Sequence, residues 1–303
     1  MQSKLILFVI LLVGFMSFAQ QDAQYTQYMY NTININPAYA GNRDVLSLFA
    51  LHRSQWVGID GAPITNTIAI NSPIGDSNLG VGLSLINDKI GPTNENDFTV
   101  DLSYTITTTE KYKLSFGLKG TTNIVKLEIT KMNPKDQNDP QFQNVNNTFS
   151  PNFGVGLYLH SDNSYFGFSI PKFIEANHYD DNSVAIFKEK INYYFIAGHV
   201  FNINNSSKFK PSILTKAVQG SPLQVDLSGN FLFYDKFVLG GAYRWGAALS
   251  GMTGFQISER FFIGYGYDYE TTNLSNYNSG SHELFLRYEI ANKTKKIISP
   301  RFF

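Results

Sequence analysis

Large and small or polar side chains alternate with a period of two along nearly the whole chain. Phe98, Val100, Leu102, Tyr104 and Ile106 alternate with Thr99, Asp101, Ser103 and Thr105. Tyr112, Leu114, Phe116 and Leu118 alternate with Lys113, Ser115, Gly117 and Lys119. Near the carboxyl end Leu284, Leu286, Tyr288 and Ile290 face away from Glu283, Arg287 and Glu289. Successive side chains of a strand point to opposite faces, so this alternation predicts strands with one apolar and one polar face. Beyond the first residues no helical period competes with it. The pattern predicts about fourteen strands, over 44–53, 64–72, 78–88, 95–107, 111–128, 148–160, 164–172, 190–203, 208–218, 221–233, 236–245, 248–257, 260–269 and 281–291. Many are longer than the usual five or six residues of a globular sheet and match the roughly 9–11 residues of a tilted membrane-spanning strand.

The connections alternate in length. Thr108 to Glu110, Ser161 to Asn163, Asn204 to Ser207, Tyr234-Asp235 and Ser258-Glu259 are tight. Every long polar loop, 54–63, 129–147, 173–189 and 270–280, falls in the other set. Short turns at one end and long loops at the other are the asymmetry of an outer-membrane barrel. The expected fold is therefore an all-β, antiparallel transmembrane barrel in the cell outer membrane. An even strand count places both termini in the periplasm.

Residues 1–19 read as a signal peptide: Lys4, an apolar run from Leu5 to Phe15, and small residues at Ser17 and Ala19 before a cleavage point. The expected organisation is that signal, a periplasmic amino-terminal segment over 20–43, the barrel over 44–291 and a periplasmic tail over 292–303. No later run of about 18 apolar residues suggests a membrane helix. The 303 residues carry 24 Lys plus Arg and 24 Asp plus Glu, so no basic surface points to nucleic acid. There is no cysteine, which excludes disulfides and thiol catalysis.

If the apolar face meets lipid, the other face lines the lumen. It carries Asp101, Lys113, Lys119, Asp226, Arg244, Asp268, Glu283, Arg287 and Glu289, with both signs represented. Such a set suits either an open eyelet or a lumen closed by ion pairs. Gly80, Gly82, Gly154, Gly156, Gly240, Gly264 and Gly266 recur on this face, where a missing side chain lets another group approach the wall. No helix follows these glycines, so they are not phosphate loops. Tyr243, Trp245, Tyr265, Tyr267 and Tyr269 suit an aromatic girdle at the long-loop end. The five histidines have no metal-ligand spacing and no nucleophile motif is present, so no metal, no cofactor and no catalytic residue is assigned. The one constellation considered for an enzyme is Asp226, His199 and Ser228.

Two segments do not read as lipid-facing strands. The first runs from Asp22 through Tyr25, Thr26, Gln27, Tyr28, Met29 and Tyr30, then on to Asn36-Pro37-Ala38-Tyr39-Ala40-Gly41. The second is His52-Arg53-Ser54-Gln55-Trp56-Val57-Gly58-Ile59-Asp60-Gly61-Ala62-Pro63. The first holds too many large apolar groups for a loose tail. Tyr25, Tyr28, Met29, Tyr30, Asn36, Pro37 and Tyr39 are therefore candidates for a lumenal plug or a partner contact. His52, Arg53, Gln55, Trp56 and Asp60 form a candidate loop motif. Together the two segments resemble the opening of the PorP/SprF family of Bacteroidetes outer-membrane proteins. The similarity continues through Ile86 to Pro92, Lys210 to Gly220, Phe231 to Lys236, Gly254 to Ile257 and Asn276 to Glu283.

The resemblance implies a non-enzymatic component of the type IX secretion and gliding machinery that supports secretion or surface attachment of cargo such as adhesins. The partners it implies are outer-membrane lipid, a periplasmic ring, a peptidoglycan-binding lipoprotein and cargo bearing a C-terminal secretion signal. The alternative reading is a passive channel or porin.

Overall fold

The computed structural model describes residues 25–128, 145–175, 177–179, 185–188 and 190–290. The proposed signal peptide and the tail at 292–303 lie outside the described residues. In chain order the strands are β1 (Leu46–Ser54), β2 (Ile64–Pro73), β3 (Leu79–Ile90), β4 (Thr93–Thr107), β5 (Lys113–Leu127), β6 (Val145–His160) and β7 (Ser164–Ile170). A hairpin of β8 (Asn177–Tyr179) and β9 (Ala185–Lys188) follows and forms its own two-stranded sheet. The wall resumes with β10 (Asn192–His199), β11 (Phe201–Asn204), β12 (Ser207–Val218), β13 (Gln224–Phe233), β14 (Phe237–Arg244), β15 (Ala248–Gln256), β16 (Phe261–Glu270) and β17 (Ser281–Ile290).

Each wall strand pairs antiparallel with its neighbours in sequence, and β1 pairs with β17 from Leu46↔Ile290 to Ser54↔His282, which closes the sheet. Closure leaves no free edge along that seam. β10 and β11 are one wall strand interrupted at Val200, so the barrel has fourteen strands. The expected single strand over 190–203 is thus broken: β11 pairs only with β12, whereas β10 reaches both β7 and β12. β7 stops at Ile170 rather than 172, because Pro171 has no N–H for the ladder.

The described residues contain no α-helix, only short 3-10 turns. All the long connections leave one end of the barrel. That end also has three short ones, at 91–92, 219–223 and 245–247, while every connection at the other end is short.

Burial is inverted relative to a soluble protein. Ile68, Leu83, Val100, Leu102, Leu118 and Leu249 are half exposed on the outer face. The inner face holds the core, with Phe49, Leu51, Tyr158, Tyr165, Phe262 and Phe285 all buried. What these inner residues pack against is the segment Tyr25–Asn42, which lies inside the barrel and contributes Tyr28, Met29, Tyr30, Ile33, Ile35 and Tyr39 to the same cluster. Strand parity fixes where the chain joins β1, not where the preceding residues run.

The outer face generates one test. Leu118, 63% exposed at mid-strand, contacts lipid in this arrangement. Leu118→Arg is expected to cost about 2–4 kcal/mol of membrane stability near the midplane, whereas Lys113→Arg at the strand end is neutral. The fraction of folded protein recovered in outer membranes measures both.

Candidate functional site

The candidate site is the interface between the inserted segment and the lumenal wall. Three short 3-10 turns, Tyr28–Tyr30, Thr32–Asn34 and Pro37–Tyr39, shape the segment. Asn36 caps the third by accepting from the Ala38 N–H at 3.0 Å, and Pro37 supplies the fixed φ of a first helical position. A compact path of this kind fits a lumen better than an extended strand and leaves many backbone groups to be met by the wall.

The wall meets them with side chains. Glu283 accepts the N–H groups of Thr26 at 3.0 Å and Gln27 at 2.9 Å. Lys119 donates to the Ile33 carbonyl at 3.2 Å, Ser169 to that of Ile35 at 2.6 Å and Ser103 to that of Ala40 at 2.7 Å. The Asn36 amide donates to the Leu157 carbonyl at 3.0 Å. Buried backbone groups left unpaired would each cost a large part of a hydrogen bond or more, so these side chains are as necessary as the apolar contacts.

Where the segment touches the wall most closely, the wall has glycine. A Cβ on Gly80 would collide with the Ala40 carbonyl, one on Gly117 with the Pro37–Ala38 backbone and one on Gly156 with the Asn36 amide. On Gly82 it would collide with the Ile33 side chain, and on Gly266 it would sit 2.9 Å from the Gln27 amide nitrogen. Gly264 and Gly154 serve the wall itself: the Phe285 ring and the Pro171 carbonyl fill their places.

The lumenal charges are buried in pairs. Arg53 binds Asp268 at 2.7 Å and Glu283 at 3.2 Å, and all three are essentially inaccessible. Thr26 completes this group by donating to Asp268, while its hydroxyl oxygen accepts from Arg53 at 2.8 Å. Arg244 binds Asp226 at 2.7 Å and donates to the Tyr25 carbonyl at 3.2 Å. Lys119 binds Asp101 at 3.0 Å. Lower down, Glu289 binds Arg43 and lies 3.6 Å from Arg287. Lys113 stands apart, exposed at a strand end. Removing a charge from water costs several kcal/mol, which a partner at ion-pair distance and further hydrogen bonds must offset.

Among the plug or contact candidates, Tyr28, Met29, Tyr30, Asn36, Pro37 and Tyr39 are buried, and Tyr25 is partly buried with its hydroxyl 3.1 Å from Thr67. Tyr30 packs on Phe262 and Phe285, with ring centroids at 5.5 and 4.8 Å. Tyr39 meets Tyr158 edge-on at 5.5 Å. The loop motif does not act as one unit. Arg53 points into the lumen, whereas His52 points outward and bonds Asn66 at 2.8 Å. Trp56 ties its loop to the nearby end of β16 by donating to Glu270 at 2.9 Å, and Gln55 closes the loop by donating its N–H to the Pro63 carbonyl. Asp60 is exposed.

Sequence reasoning missed Thr26, Arg43, Ser169, Gly117 and the fully buried Lys210, whose ammonium lies 5.4 Å from the centre of the Tyr30 ring. Of these only Gly117, Ser169 and Lys210 carried a local signal, the inward parity of their strands, and Thr26 and Arg43 precede the first strand. Asp226, His199 and Ser228 are not assembled as a catalytic group. Arg244 engages Asp226, and His199 bonds Ser164 at 2.7 Å.

With this geometry in view, comparison with family models gives a match over residues 17–288 to the type IX secretion system membrane protein PorP/SprF. The chain belongs to the PorP/SprF family. The family and the barrel are those of a membrane component of secretion, located in the outer membrane, and not those of an enzyme. Comparison with curated proteins finds no match. Among solved structures, the CymD monoaromatic hydrocarbon channel superposes with a TM-score of 0.54 at 10% identity, covering 86% of this chain and 93% of that one. The TodX deltaS2S3 mutant monoaromatic hydrocarbon channel gives 0.50 at 9% identity, covering 88% and 94%. The outer membrane protein Omp33 of Acinetobacter baumannii gives 0.49 at 9% identity, covering 82% and 99%. At these identities the CymD likeness speaks for the barrel fold alone.

In this PorP/SprF protein the Arg53 group gives a sharp test. Arg53→Met leaves Asp268 and Glu283 buried without their cation, which is expected to cost about 3–5 kcal/mol. The triple change Arg53→Met, Asp268→Asn, Glu283→Gln removes the stranded charges while keeping acceptors for the Thr26 and Gln27 N–H groups and the Thr26 hydroxyl, and is expected to recover part of that loss. Thermal unfolding of the purified barrel in detergent compares the two.

Proposed function

We propose that this protein is a sealed, non-enzymatic station of the type IX secretion and gliding machinery, supporting secretion or surface attachment of cargo such as adhesins. The supporting observation is the inserted segment. Thr26 to Asn42 lies against β1, β4, β5, β6, β16 and β17, with almost every side chain buried. A conducting pore needs a polar, water-filled path, and here the same lumen holds packed aromatics and mutually paired charges. Family membership supplies the secretion context.

In this reading the long loops face the cell surface and the short turns and carboxyl terminus face the periplasm. The outward surface is then where cargo arrives. The periplasmic side is where a ring component or a peptidoglycan-binding lipoprotein associates.

A passive channel is the competing reading, because channels share the barrel. Planar-bilayer recording of the purified protein separates the two. The sealed reading expects no steady conductance from the unmodified protein, and openings after Tyr28→Ala with Tyr30→Ala loosens the segment. It also expects secretion components and cargo with a C-terminal signal to co-purify from native membranes. Steady conductance of the unmodified protein with no secretion partner recovered overturns it.

A further inference from the structure

Around the Tyr30 ring the lumen gathers cations from three distant places in the chain. Arg43 precedes β1, and Lys210 and Arg287 lie near the short-turn ends of β12 and β17. All three residues are buried. The Lys210 ammonium lies 5.4 Å from the centre of the Tyr30 ring. The Arg287 guanidinium carbon lies 5.9 Å from that centre and 5.1 Å from the centre of Phe262. Aromatic faces attract cations but cancel none of their charge. Glu289 bonds Arg43 and lies 3.6 Å from Arg287. Two guanidiniums sharing one carboxylate keep a net positive charge, and Lys210 is close enough to feel the repulsion of both. Like charges held together away from water are costly unless a counter-charge joins them.

Two donors in the same place lack an acceptor. Nη1 of Arg287 is buried and makes no hydrogen bond, and the same holds for the Tyr30 hydroxyl. A buried donor left without an acceptor forfeits its full hydration. We infer that Arg287, Tyr30, Lys210 and Arg43 form a binding site for a small anion of chloride size. The ion ties the inserted segment, through Tyr30 and Arg43, to the wall, through Lys210 and Arg287. A water molecule in that place accepts from Arg287 but leaves the excess charge standing. A halide accepts from several donors at once and offsets part of that charge. The rings of Tyr30, Phe262 and Phe285 pack with centroids 4.8–5.6 Å apart, which suits a monatomic ion better than a phosphate or a lipid headgroup. Such a site is independent of whether the barrel serves secretion.

Thermal unfolding of the purified barrel in detergent reads the site when sodium gluconate is replaced stepwise by sodium chloride at constant ionic strength. Chloride is expected to raise the unfolding midpoint saturably, by about 5 °C. Arg287→Met is expected to lose that rise. Tyr30→Phe, which deletes the hydroxyl alone, is expected to need a several-fold higher chloride concentration for it and carries the test if Arg287→Met does not fold. Tyr28→Phe makes the same deletion on another buried lumenal tyrosine and is expected to respond like the unmodified protein. A midpoint indifferent to chloride overturns the site. So does a response that persists unchanged in Arg287→Met, or in Tyr30→Phe where that variant decides, and so does one weakened equally by Tyr28→Phe and Tyr30→Phe.

Discussion

A closed barrel in lipid has its apolar face committed to the outside, so whatever fills its interior must satisfy a wall of polar groups, charges and small residues. That constraint organises this molecule. Asp268 and Glu283 face inward from β16 and β17 and share one cation, Arg53 of β1. The remaining acceptor capacity of the pair is taken by Thr26 and by the backbone of Thr26 and Gln27. The wall and the inserted segment thus complete one another, and neither is satisfied alone. A half-satisfied buried network is worse than an apolar one, which ties the segment's position to the stability of the barrel.

The same logic explains the glycines. A strand interior normally loses stability by carrying glycine, but here Gly80, Gly82, Gly117 and Gly156 make room for backbone and side chains of the segment. Close approach then permits the side-chain hydrogen bonds from Ser103, Lys119 and Ser169 to the segment's carbonyls.

Much of the wall was legible because a period of two is unambiguous over ten residues. β4, β5, β12 and β16 lie within a few residues of their expected spans, and Asp101, Asp226, Asp268, Arg287 and Glu289 all turn inward. What was not legible depends on long-range approach. Nothing local beyond its inward parity distinguishes Lys210, buried beside Tyr30, from an ordinary strand lysine. Arg43 precedes the first strand and shows its role only when Glu289 arrives from the far end of the chain. The break at Val200 is likewise set by pairing, since the alternation itself continues through it. The loop motif held two unrelated roles, with Arg53 in the lumen and Trp56 tying a loop to Glu270.

The central claim is that the segment before β1 is lodged in the lumen as a structural part of the barrel. Disulfide trapping tests it most directly. The Ile33 side chain occupies the place a Cβ on Gly82 would take, so cysteines at these two positions fall within bonding reach. Ser212 and Ser228 face each other across β12 and β13 and provide a wall-to-wall reference pair. The account predicts that mild oxidation of the membrane-inserted Ile33→Cys, Gly82→Cys protein yields a linked peptide as completely as Ser212→Cys, Ser228→Cys does. A reference pair that links while positions 33 and 82 remain reduced would contradict it.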